Sequence, residues 1–132
     1  MNWLDLLNWS EFQTDELRSI GFSYLQQGKY DLALVFFEAL NVLEADNPQD
    51  LQTLGALRLE KGDNKQALEY LDKSLEVKSD PFTLLNRVKV LFQLGYKDQA
   101  TAEARMLINS DNSDIALQAQ ALIMAFSEER PA

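Results

Sequence analysis

No cysteine and no histidine occur anywhere in this chain of 132 residues. Disulfides, thiolate nucleophiles, imidazole bases and the usual zinc or copper ligand sets are therefore excluded together. Basic residues are scarce as well: 12 Lys and Arg stand against 21 Asp and Glu, a formal charge of -9. Nucleic acid and anionic membrane surfaces both select Lys and Arg, so neither is expected as a partner. No apolar run approaches the roughly 20 residues of a membrane span, and Met1-Asn2-Trp3-Leu4-Asp5 lacks the basic start of a secretory signal. No membrane insertion is expected, and the expected location is cytoplasmic. Gly-rich phosphate loops are missing too. Catalysis is left with carboxylates such as Glu60 with Asp63 or Asp111 with Asp114, placed where turn and capping residues are needed. The chain is read as no enzyme, with no cofactor and no metal.

With 46% apolar and 25% charged residues, the chain has the composition of one folded domain able to bury its own core. Its five glycines are not scattered. Gly21, Gly28, Ala33 and Phe37 return 34 residues later as Gly55, Gly62, Ala67 and Leu71. A third copy, Gly95, Ala100 and Ala104, follows after a step of 33. A period of this length marks a helix-turn-helix unit of the tetratricopeptide type, whose copies stack into a solenoid.

Helix punctuation keeps the same step. Thr14 before Asp15 and Glu16 reads as an N-cap with acids in the first turn, and Asn47-Pro48 and Asp80-Pro81 pair a capping side chain with proline at the first helical position. Gly28, Gly62 and Gly95 fall where a left-handed residue ends a helix. Gly21 and Gly55 fall in mid-helix, unfavourable by ~1 kcal/mol relative to alanine, which suggests close helix packing. The expected organisation is one all-α solenoid: an N-terminal helix over 2–12, repeats over 14–47, 48–80 and 81–110, and a C-terminal capping helix over 113–129.

The two end segments are unusually apolar. Residues 2–12 carry Trp3, Leu4, Leu6, Leu7, Trp9 and Phe12. In the last helix Ile115, Ala119, Leu122, Ile123 and Phe126 form a stripe suited to closing the solenoid. Leu117, Ala121, Met124 and Ala125 lie off that stripe, whereas a terminal cap normally has a polar outer face. A second surface is expected to cover them, by homodimerisation or a constitutive heterocomplex through the end helices.

Individual positions match the tetratricopeptide pattern. Leu17, Ile20-Gly21, Tyr24, Ala33 and Phe37 do so in the first unit, and Leu51, Leu54-Gly55, Ala67 and Leu71 in the second, where Arg58 replaces the tyrosine. The third keeps Leu84, Leu91, Gly95 and Ala100, with Val88 in place of glycine and Ala104 in place of phenylalanine. This resemblance implies that the first helix of each unit lines a concave groove for a peptide or protein segment. On this chain the implied binding residues are Arg18, Phe22 and Leu25, then Gln52, Ala56 and Leu59, then Leu85, Lys89 and Phe92, while Tyr30, just after the first turn, is read as edging the groove or packing on the next helix. The spacing of Phe22, Leu25, Leu59 and Phe92 suits core packing equally well, and Leu17, Ala33, Phe37 and Ala67 are read as core.

A narrower likeness lies in Ser19-Ile20-Gly21-Phe22-Ser23-Tyr24-Leu25-Gln26-Gln27-Gly28-Lys29-Tyr30-Asp31-Leu32-Ala33, continued by Val35-Phe36-Phe37-Glu38-Ala39-Leu40-Asn41-Val42-Leu43. This stretch is similar to the first repeat of the small translocator-class chaperones of bacterial type III secretion. Related small repeat proteins of that system guard needle subunits or pair with an export-apparatus protein. The resemblance implies a chaperone whose partner is a segment of a secreted subunit. The alternative is a general tetratricopeptide scaffold in a permanent complex.

Overall fold

Short polar caps, two of them followed by proline, begin three of the described helices. The computed structural model describes residues 11–126, with side chains from Gln13 onward, as seven helices and, among those residues, no strand. They are α1 (Glu11–Gln26), α2 (Tyr30–Leu43), α3 (Pro48–Glu60), α4 (Asn64–Val77), α5 (Pro81–Leu94), α6 (Lys97–Ile108) and α7 (Ser113–Phe126). Asn47 caps α3 by accepting from the Asp50 N–H at 3.0 Å. Asp80 caps α5 by accepting from Phe82 N–H at 2.8 Å and Thr83 N–H at 3.2 Å. Asn112 serves α7 in the same way, accepting from the Asp114 and Ile115 N–H groups. Each side chain satisfies helix-end donors that have no partner within the helix.

One expected start does not hold. Thr14 is not a cap: α1 already runs from Glu11, and Thr14 is fully buried within it. The helix thus takes in Glu11 and Phe12, and the rest of the segment 2–12, with Trp3 and Trp9, lies outside the described residues.

The three turns are copies of one another. Gly28, Gly62 and Gly95 have φ of 74, 82 and 91°, the left-handed region that glycine enters without steric cost. The following N–H folds back in each case, from Lys29 to Tyr24 O, Asp63 to Arg58 O and Tyr96 to Leu91 O, all at 2.9 Å.

Helices pair within units, α1 with α2, α3 with α4 and α5 with α6, while α3 touches α5 and α7 packs on both α5 and α6. The close approach foreseen at the mid-helix glycines is present. A Cβ on Gly21 would stand 2.9 Å from the Phe37 ring, and one on Gly55 would stand 2.5 Å from Leu71 Cδ2. In the third unit the sizes are exchanged: Val88 occupies the glycine position and Ala104 the large one, and both are fully buried in one cluster. That cluster, which includes Leu85, Leu91, Phe92, Ala100, Leu107 and Ile115, extends from α5 through α6 to α7. A second joins α2 to α3 through Phe37, Leu40, Leu54 and Leu57, and a third links α4 to α5 through Ala67, Leu71 and Val90.

Arginines tie the units at their seams. Arg58 of α3 reaches back to Glu38 of α2 and forward to Asp63 at 3.1 Å, and Arg87 of α5 joins Asp72 of α4 at 2.7 Å to Glu103 of α6. Lys61 pairs with Asp31 across the first seam. Arg58 stands where the first unit has Tyr24, and it makes an ionic link to the preceding unit where Tyr24 packs its ring near Phe36 of its own unit. The inner stripe of α7 buries Ile115 and Ala119, while its opposite face leaves Leu117 at 67% and Met124 at 66% exposure. No helix among the described residues is long and apolar enough to cross a membrane.

Candidate protein-binding groove

First helices of successive units stand side by side in this fold. α3 contacts α5, α5 contacts α7, and α1 is joined to α3 by a side-chain bridge. That bridge is Arg18. Its guanidinium donates from Nε to Asp50 Oδ1 at 2.7 Å and from Nη2 to Asp50 Oδ2 at 2.8 Å, with further bonds to Asp15 at 2.8 Å and Glu44 at 3.3 Å. Hydrogen bonding to the buried Asp50 carboxylate raises the Arg18 guanidinium above the ordinary arginine range, against the opposing effect of burial. Its side chain is only 12% exposed, so it is a structural clamp between units.

Four apolar residues of the expected row remain accessible on α1 and α3. Phe22 is half-buried, with its ring edge-on to Phe37 at 5.0 Å, and Leu25 is half-buried beside the same core. Ala56 and Leu59 of α3 are half-buried too. Such positions rest on the core from one side and keep the other side free for a ligand. Tyr30, at the first residue of α2, is 39% exposed. Gln52 and Lys89 are half-buried, and Gln52 Nε2 donates to Asp80 at 3.4 Å.

Two expected groove residues are core instead. Leu85 is 2% and Phe92 4% exposed, and Phe92 stacks on Phe126 with centroids 4.7 Å apart and planes at 10°. The physical reason is α7. It packs on α5 as the first helix of a further unit would, so the third unit has an inner neighbour that covers its apolar surface. The missed signal was Phe126 itself, whose place on the closing stripe of α7 was legible but whose target was not.

Among the described residues no cluster of three or more acidic or metal-ligating side chains is arranged to hold a metal ion.

A tetratricopeptide repeat model matches residues 51–81, and no curated protein sequence matches the chain. Among solved structures, PcrH in complex with the chaperone-binding region of PopD is 28% identical with a TM-score of 0.78, covering 89% of this chain and 92% of that one. PcrH from Pseudomonas aeruginosa alone is 26% identical with a TM-score of 0.75, covering 89% and 93%. The Yersinia enterocolitica type III secretion chaperone SycD, in complex with a peptide of the translocator YopD, superposes with a TM-score of 0.79 over 89% and 94%. At 23% identity that last likeness speaks for the fold. The chain thus has an all-α, tetratricopeptide-like helical repeat fold, similar to that of PcrH and of the type III secretion chaperone SycD.

Proposed function

We propose that this protein is a cytoplasmic chaperone that holds an apolar segment of a secreted type III secretion subunit against the inner faces of α1 and α3 before export. The observation that carries the reading is the likeness, along 89% of the chain, to PcrH bound to the chaperone-binding region of PopD. The row Phe22, Leu25, Ala56 and Leu59 supports it, being half-buried on first helices where a bound segment would complete its burial. A fully buried aliphatic or aromatic anchor is worth ~1.5 to 3 kcal/mol before ordering costs, so two or three anchors give a complex that holds its client and can still release it. Covering such a segment keeps it from aggregating, and binding needs no nucleotide.

Co-expression with candidate translocator subunits tests the reading. A soluble complex is expected, and the double variant Phe22→Asp with Leu59→Asp is expected to lose it while circular dichroism stays unchanged. A complex that survives this double change refutes the groove assignment.

A further inference from the structure

Four basic side chains among the described residues are partly withdrawn from solvent: Arg18, Arg58, Arg87 and Lys89. Each of the three arginines is tied to two or more carboxylates. Lys89 is tied to none. In a chain with 21 acids against 12 bases, its ammonium makes no ion pair or hydrogen bond with any described residue, and it still reaches solvent.

Phe22 of α1, Ala56 of α3 and Lys89 of α5 stand 34 and 33 residues apart, the same steps that separate the turn glycines Gly28, Gly62 and Gly95. The three therefore hold one position on three first helices. On α5 itself Lys89 follows Leu85 by four residues and precedes Phe92 by three, so its stem lies along the face on which Phe92 stacks against α7. An apolar group laid over this ammonium would strip it of water without replacing its hydrogen bonds. A carboxylate would replace them, and partial burial strengthens that attraction relative to open water. The net charge of -9 repels an acidic tract as a whole, so a single acid is what this place favours.

We propose that Lys89 selects one acidic residue in the bound segment, placed beyond two apolar anchors. Packed helices lie ~8 to 10 Å apart, a gap that extended chain crosses in about three residues at ~3.3 to 3.6 Å each. The partner is thus an extended segment with an apolar residue over Phe22, a second about three residues on over Ala56, and Asp or Glu about three further on at Lys89. The order along the segment is this one or its reverse. The inference rests on the peptide-binding reading and adds to it a charge requirement and a register.

Amide-resolved NMR of the full chain tests the proposal with three capped synthetic peptides, Leu-Gln-Gln-Leu-Gln-Gln followed by Glu, Gln or Lys, and with the same three in reversed order. In one of the two orders, saturable shifts on α1, α3 and α5 are expected. The Glu peptide is expected to bind about fivefold more tightly than the Gln peptide, as for one partly screened ion pair, and the Lys peptide most weakly. Lys89→Met, which keeps the stem and removes the charge, is expected to make the Glu and Gln peptides equal. Lys89→Glu is expected to reverse the ranking in favour of the Lys peptide, which a merely structural lysine would not do. No saturable shift in either order, equal affinity for the Glu and Gln peptides, or a ranking unchanged in Lys89→Glu overturns the proposal. A chain that ranks the peptides as expected but binds no translocator segment refutes the client assignment alone. One that binds the segment through Phe22 and Leu59, with the same affinity in Lys89→Glu, refutes the charge reading alone.

Discussion

Arg18 grips both carboxylate oxygens of Asp50, a residue with no exposed surface that lies 32 positions along the chain. The pair is the link between first helices of the first two units. Removing one partner of such a pair leaves a buried charge uncompensated, which costs ~3 to 5 kcal/mol. Arg18→Met is therefore expected to lower the stability of the chain by that order in urea denaturation. Arg18→Met combined with Asp50→Leu is expected to recover most of the loss, because an apolar pair of similar volume needs no compensation.

Phe92 separates stability from binding. Phe92→Ala removes a buried ring and is expected to cost ~3 to 5 kcal/mol, while Phe126→Ala, on the half-buried partner, costs about 2 kcal/mol. Thermal melts measure both. Client affinity, measured well below the melting temperature, is expected to stay within about twofold for Phe126→Ala, in contrast to its loss on charging Phe22 and Leu59.

The glycine of the second unit answers to its neighbour. Gly55→Ala gains ~1 kcal/mol of helix propensity but drives a methyl into Leu71, where overpacking costs ~1 to 3 kcal/mol. A net loss is expected. Leu71→Ala alone costs ~2 to 5 kcal/mol through the cavity it leaves. The double variant is expected to be more stable than the sum of the singles predicts, by about 1 kcal/mol or more in a double-mutant cycle.

Asp31 reports on the first seam through pH. Its hydrogen bond to Lys61, with the charge of the same group, holds its carboxyl below the ordinary aspartate value of 3.8. A depressed folded value means that the tie contributes above about pH 4 and is lost as pH falls through the folded value. Following Asp31 by NMR should show a midpoint below 3.8 that returns toward it in Lys61→Met. An unchanged midpoint in that variant would mean that Lys61 does not hold the carboxylate in solution.

Backbone requirements were the most legible part of this chain. Gly28, Gly62 and Gly95 need a left-handed turn, Pro48 and Pro81 can only begin a helix, and Gly21 and Gly55 signal close packing, all of which local chemistry dictates. Long-range choices were not legible in the same way. Arg18 occupies a position that faces the groove in the repeat pattern, and only the partner 32 residues away turns it into a clamp. Leu85 and Phe92 were assigned to the groove by a rule for units with an open inner side, and α7 closes that side. Thr14 had the chemistry of a cap, but the helix already begins at Glu11, which leaves Thr14 inside it.

The exchange of sizes in the third unit bears on how the chain avoids tangling with itself. Repeat proteins risk docking the wrong copy of a helix, because like units offer like surfaces. Were α5 to dock on α2, Val88 would collide with Phe37; were α1 to dock on α6, Gly21 would face Ala104 across a void. Gly21 with Phe37 and Val88 with Ala104 therefore behave as two differently cut keys, which lets a folding chain reject the partner that is close in sequence pattern but wrong in place.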